Sequence, residues 1–119
     1  MPEEPRRRSG LFVVDLDGAV IGQVTLTKDT GHLRQAAGRA ELGYLFLPQA
    51  WGRGYAAEAC EAVLGRFAGA LPGEPLVLAT QTADVRSLRL AAKLGFTEVE
   101  RFEEWGAEQW TGVWKGTWA

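Results

Sequence analysis

The sequence predicts an α/β domain of the α+β kind, built on a mixed, mostly antiparallel sheet with one central parallel β-α-β crossover and helices packed on it. Three observations carry this. Short apolar, β-branched runs at 11–15 and 19–26 flank an Asp17-Gly18 hairpin signal. A strand-like run at 40–47 leads through a glycine-rich turn into a helix, and the continuous apolar run 76–80 follows. A second helix at 85–94 is bracketed by Asp84 and Gly95, and two further strand-like runs close the chain.

Taken in order, residues 1–10 read as a flexible lead whose Arg6-Arg7-Arg8 is a solvated tail. Asp15 and Asp17 break the apolar run after it, which argues against a signal peptide. Residues 27–39 have no apolar period and read as a loop, with His32 an exposed imidazole. In Leu42–Leu47 the strand runs up to Pro48, which has no amide hydrogen to give a ladder. Trp51-Gly52-Arg53-Gly54-Tyr55 then turns into a helix over 55–70, with Ala59, Ala62, Val63, Leu64 and Phe67 on its apolar face. Cys60 falls within it as a buried, inert thiol. Residues 71–75 are a loop by composition. On the second helix Val85, Leu88 and Ala92 are the expected apolar face, and Arg86, Arg89 and Lys93 line another. Thr97–Phe102 is a strand, residues 103–107 a turn, and 108–117 the last strand. The tryptophan stripe Trp110, Trp114, Trp118 reads as core or a dimer face, not as a ligand platform.

Composition limits the function. A chain of 119 residues suits one domain and one core. A net charge of −2 lacks the basic excess of a nucleic-acid surface. One cysteine and one histidine leave no internal disulfide and little scope for a metal site, so no metal is expected. No apolar run approaches a membrane span, and the expected location is cytoplasmic.

Strand, glycine turn and helix start together form an anion cradle. The first amides of a helix have no partner inside it, and their dipoles sum to a partial positive charge on which phosphates sit. Gly52 and Gly54 allow close approach to the backbone, and Arg53 adds a cation. No Lys-Ser/Thr follows the last glycine and no third glycine completes a dinucleotide fingerprint, so neither of those motifs applies. On this motif alone, a tight turn before an ordinary helix is an equal reading.

FLPQAWGRGYAAEA at 46–59 and DVRSLRLAAKLGF at 84–96, in this order and spacing, resemble the GCN5-related N-acetyltransferases. The likeness is strongest to the branch that acetylates N-terminal amines of ribosomal proteins, and it covers roughly residues 11–117. It implies acetyl-CoA as cosubstrate. Trp51, Gly54 and Ala56 occupy the positions of the family's acyl-CoA motif, and the amides from Gly52 to Ala57, Arg53 and Tyr55 among them, would hold the CoA pyrophosphate. The backbone of Tyr44, Leu45 and Phe46 would pair with the pantetheine arm, and an amide near Phe46 would polarise the thioester carbonyl. Asp84 stands where the family has an Asn that donates toward the pantetheine; an ionised Asp only accepts, so a helix cap is its alternative role. Ser87 would protonate the leaving thiolate, directly or through water, and Glu41 would act as the base that neutralises the amine. Ala91 stands where many relatives carry a tyrosine acid. Among cations, Arg53 is the best candidate for CoA phosphates, ahead of Arg89 and Lys93.

The resemblance also implies a fold shortened at the N-terminus, since the family begins with a strand and two helices before the hairpin. The function implied is direct acetyl transfer to a primary amine, a protein N-terminus or a small molecule such as an aminoglycoside, with no covalent enzyme intermediate. The rival is a catalytically silent acyl-CoA-binding or dimerisation remnant. A homodimer is a candidate assembly; neither nucleic acid nor a membrane is an expected partner.

Overall fold

The computed structural model describes residues 10–28 and 40–115. The Arg-rich lead, His32 and Trp118 therefore lie outside the described residues. Six strands form one sheet: β1 (Leu11–Leu16), β2 (Ala19–Lys28), β3 (Ala40–Phe46), β4 (Leu76–Gln81), β5 (Thr97–Glu104) and β6 (Ala107–Trp114). Their order is β1-β2-β3-β4-β6-β5, and only the β3–β4 pair is parallel. Among the described residues the α-helices are α1 (Tyr55–Ala70) and α2 (Val85–Leu94). A mixed, mostly antiparallel sheet with one parallel crossover is what the sequence predicts.

Both hairpins close through two residues in the left-handed region. These are Asp17 (φ 52°) with Gly18 (φ 85°), and Trp105 (φ 53°) with Gly106 (φ 77°). That geometry matches the twist of the strands it joins. Thr27 and Lys28, expected in the 27–39 loop, instead pair with Glu41 and Ala40 and extend β2, and the rest of that stretch lies outside the described residues. Pro48 ends β3 as expected and opens a short 3-10 turn, Pro48–Ala50.

The main core lies on one face of the sheet. Val24, Leu42, Phe46, Leu76, Leu78, Trp110 and Trp114 meet Cys60, Val63, Leu64 and Phe67 of α1 and Ala91 and Leu94 of α2. The apolar faces differ in detail from the expected ones. Ala62 is exposed, while Ala57 and Cys60 complete the buried stripe of α1. In α2 the buried residues are Ala91 and Leu94, with Leu88 and Leu90 packed against the core, whereas Val85 and Ala92 are exposed. Trp110 and Trp114 are core, and Gly112 between them exists to make room: a Cβ there would collide with the Trp110 ring.

The parallel contact is brief. Ala40, Glu41 and Leu42 pair with Leu76, Val77 and Leu78, and beyond that point the two strands part. β3 stays paired with β2 to Phe46, and β4 stays paired with β6 to Gln81. Each strand follows its own antiparallel neighbour, and the sheet opens between them.

Candidate active-site cleft

A cleft of about 430 Å³ fills that opening. Tyr44, Leu45 and Phe46 line it from β3, Trp51, Gly52, Gly54, Ala56 and Ala57 from the turn and the start of α1, and Asp84, Arg86, Ser87, Arg89 and Lys93 from α2.

On the β3 side the main chain is turned into the opening. The Leu47 amide donates to the Ile21 carbonyl at 2.9 Å. Hydrogen-bonded pairs alternate along an antiparallel ladder, so Leu45 and Gly43 also point their main-chain groups at β2. Tyr44 and Phe46 therefore point theirs the other way, where β4 has already departed. The Phe46 carbonyl is taken by Trp51, whose indole Nε1 donates to it at 3.0 Å. This bond ties the glycine turn back to the strand end.

The start of α1 is open. Its N-cap, Gly54, has φ 83° and no side chain to cap with, and the first intrahelical bond runs from the Glu58 amide to the Gly54 carbonyl. The amides of Tyr55, Ala56 and Ala57 consequently have no intrahelical acceptor. Gly52 also has positive φ, 76°. An added Cβ at either glycine would meet no protein atom within 4 Å, so glycine is needed here for backbone conformation and for an unobstructed outer side.

The start of α2 is closed. Asp84 accepts from the Ser87 amide at 3.1 Å through Oδ1 and from the Ser87 hydroxyl at 3.0 Å through Oδ2. Both oxygens are committed to the helix end, so Asp84 is a cap. The Ser87 proton is committed as well, which leaves this hydroxyl poorly placed to protonate a leaving group. Beside Ser87, burial pushes the Tyr44 phenol up to about 12, and the Asp84 carboxylate acts the same way. The neighbouring Ser87 hydroxyl opposes this, and Tyr44 Oη, shielded from solvent, meets no partner at full hydrogen-bond geometry. Burial, and then Glu61, raise the Cys60 thiol to about 12, which keeps it protonated and unreactive.

Not every residue of the sequence motif reaches the cleft. Arg53 is exposed and Tyr55 half-buried, and neither lines it. The cations that do are Arg86, Arg89 and Lys93, spaced 86, 89, 93 along one face of α2. Arg86 is the addition: its basic spacing is visible in the sequence, but no motif marks it. Its guanidinium lies over the Trp51 ring, 4.2 Å from the centroid, and so bridges the α2 end to the glycine turn. Glu41 lies outside the cleft lining. It sits opposite Thr27 and Val77, one residue before the strands part, on the face turned away from the helices because neighbouring Leu42 is in the core.

Among the described residues no cluster of metal-binding side chains is present, and no helix is long and apolar enough to cross a membrane. An opening strand edge, uncapped helix amides and a rail of cations fit an extended anionic cosubstrate such as an acyl-CoA.

Comparison with known structures agrees with the architecture. The chain is similar to a GNAT-family acetyltransferase from Bordetella pertussis at TM-score 0.80 and 22% identity, over 93% of this chain and 68% of that one. It is also similar to a ribosomal-protein-S5-alanine acetyltransferase from Vibrio fischeri, at TM-score 0.79 and 16% identity, over 96% and 65%. A third likeness is to an acetyltransferase from Salmonella typhimurium solved with its cofactor acetyl-CoA, at TM-score 0.77 and 18% identity, over 98% and 71%. The chain thus spans about two thirds of the length of these structures. No curated protein matches the sequence. The model of the family described as acetyltransferase (GNAT) domain matches residues 2–97, and the protein belongs to that family.

Proposed function

We propose that the protein is an acetyl-CoA-dependent N-acetyltransferase that moves the acetyl group directly onto a primary amine, with a protein N-terminus as the acceptor. The observation that carries this is the parting of β3 and β4 beside the uncapped start of α1. One end of the cleft offers free amides to a diphosphate, and the other offers free main-chain groups to an amide-bearing arm.

In this reading the amides of Tyr55–Ala57 and the Arg86–Arg89–Lys93 rail hold the phosphates. The main chain of Tyr44 and Phe46 aligns the pantetheine as an added strand. The Phe46 amide faces the opening and is the donor for the thioester carbonyl. The amine enters from the helix-free face, where Glu41 stands to take up a proton from the attacking nitrogen. A neutral amine is required, so activity rises with pH as the acceptor deprotonates. The acceptor choice follows the likeness to the ribosomal-protein branch, and a small-molecule amine is the alternative. A cytoplasmic location belongs to the same reading, and so does a homodimer.

One observation favours the silent acyl-CoA binder: Asp84 and Ser87 are committed to each other, so neither serves the cosubstrate freely. Two measurements separate the readings. Calorimetry with acetyl-CoA is expected to show binding. CoA release is then expected with a peptide bearing a free α-amine and to vanish with the same peptide N-acetylated. Binding with no release across peptide, polyamine and aminoglycoside acceptors would favour the silent binder.

A further inference from the structure

The sheet ends in two edge strands, β1 and β5, and they are finished differently. An edge strand offers unpaired main-chain groups to any other strand, so folded proteins guard it with charge, proline or a bulge. β5 is guarded. Its register against β6 slips between Glu98 and Glu100, which leaves Val99 as an extra, bulged residue. Glu98, Glu100, Arg101, Glu103 and Glu104 put charge along the same strand. β1 carries neither device. Its register shift, between Val14 and Asp15, skips Ile21, so the extra residue belongs to β2 and β1 runs unbroken. The strand itself, Leu11-Phe12-Val13-Val14-Asp15-Leu16, holds one charge and no proline.

The Leu26 amide donates to the Gly10 carbonyl at 2.9 Å, which fixes the phase of this ladder. Phe12 and Val14 therefore turn their main-chain groups toward β2, and Leu11, Val13 and Asp15 turn theirs outward. Those outward groups have no partner among the described residues. Val13, at the middle of the row, is 53% exposed.

We propose that β1 is a dimer edge: a second copy of this chain adds its own β1 to it, antiparallel, about a two-fold axis at Val13. This gives the homodimer of the reading above a surface, and it rests on that part of the reading, not on the transfer chemistry. The register is self-complementary. Val13 meets Val13 of the second copy, Leu11 meets Asp15 on either side, and each pair exchanges both of its main-chain bonds. Charge selects the same arrangement. In the sequence Arg6, Arg7 and Arg8 precede the strand, and Asp15 and Asp17 close it. An antiparallel copy sets the basic end of one strand against the acidic end of the other, whereas a parallel copy sets like against like. The two sheets join edge to edge, and the cleft, beyond β2 and β3, stays open.

A one-strand interface is small, so sedimentation is expected to show the wild-type chain passing from monomer to dimer in the micromolar range. Val13→Pro removes an amide that β1 does not give to β2, so the fold keeps its ladder while the pairing loses its central bonds. It is expected to weaken the dimer at least about 30-fold and to leave acetyl-CoA affinity within about twofold. Val99→Lys is the control on the opposite edge, at a residue 54% exposed, and is expected to leave the dimer intact. Val13→Cys tests the axis without disturbing the strand. The two-fold brings position 13 of the two copies to about 5.5 Å between Cα atoms, within disulfide reach, and the buried Cys60 does not compete. Oxidation is expected to cross-link Val13→Cys, and not Val20→Cys, which is as exposed but sits on β2. A wild-type chain that stays monomeric at every concentration overturns the homodimer and this proposal with it. A dimer that survives Val13→Pro, dissociates with Val99→Lys or fails to cross-link through position 13 is built on another surface and overturns this proposal alone. Acetyl transfer stands or falls separately, on acetyl-CoA binding and CoA release.

Discussion

The two helices that border the cleft begin in opposite ways. Helix α1 starts at a glycine with no side-chain cap, and its first amides face the opening. Helix α2 starts at Asp84, which takes both the amide and the hydroxyl proton of Ser87. A helix start carries the same orphan donors wherever it occurs. A start satisfied by its own side chain is architecture, and one left open beside a cleft is a binding surface. The contrast also explains the cations. The closed α2 presents its ligand-facing charge through Arg86, Arg89 and Lys93, whereas α1 needs no cation in the lining because its backbone supplies the field.

The largest expected effect comes from making α1 begin as α2 does. Gly54→Asp places a carboxylate at the open N-cap. Aspartate is among the few side chains that adopt positive φ, so the fold survives at a cost of about 1 kcal/mol. The new carboxylate stands beside the free amides and opposes an incoming diphosphate. Acetyl-CoA affinity is expected to fall at least about 100-fold by calorimetry. Gly54→Asn, which has nearly the same shape without the charge, is expected to lose markedly less. Equal losses in the two variants would mean that backbone strain, not anion binding, is what the open start controls.

The reverse experiment opens α2. Asp84→Ala removes the acceptor for the Ser87 amide and is expected to lower stability by about 1 kcal/mol in chemical denaturation. Asp84→Asn retains a side-chain oxygen for that amide and withdraws a negative charge from the cleft. It is expected to keep most of the stability and to bind acetyl-CoA a few-fold more tightly. Should Asp84→Asn bind acetyl-CoA more weakly, the carboxylate makes a contact with the cosubstrate beyond capping.

Much of this contrast is legible in the sequence, because the information is local. Gly52 and Gly54 before an alanine-rich run mark an uncapped start, and Asp84 three residues before Ser87 marks a capped one. The strands are legible for the same reason: Asp17-Gly18 and Trp105-Gly106 set their hairpins within two residues. What the local pattern does not hold is placement across the sheet. Nothing in 76–81 or 107–114 announces that β6 enters between β4 and β5, and so nothing announces where β3 and β4 part. Two readings change in the structure. The motif favours Arg53 as the phosphate cation, but Arg53 does not line the cleft, whereas Arg86 does and lies over the Trp51 ring. Ser87 reads as a free hydroxyl until its proton is seen on Asp84.

Arg86 offers the smallest effect and the finest test of the comparison, because it physically connects the closed start to the open one. Its guanidinium lies 4.2 Å from the Trp51 ring centroid, and that ring is held to the strand end by its own bond to Phe46. A guanidinium on an indole face contributes modestly at an exposed site. Arg86→Ala therefore removes a brace on the glycine turn and one positive charge from the cleft together. Acetyl-CoA affinity is expected to fall about 2- to 5-fold at low salt, with a smaller difference at high salt, where surface charges are screened. Arg86→Lys separates the two contributions: it keeps the charge and loses the planar stack. If Lys restores both affinity and salt dependence, Arg86 acts as a phosphate-facing charge. If it restores the salt dependence alone, the stack itself holds the open helix start in shape. A rise in affinity for Arg86→Ala would show the opposite relation, with the Trp51 stack closing the cleft mouth against the ligand.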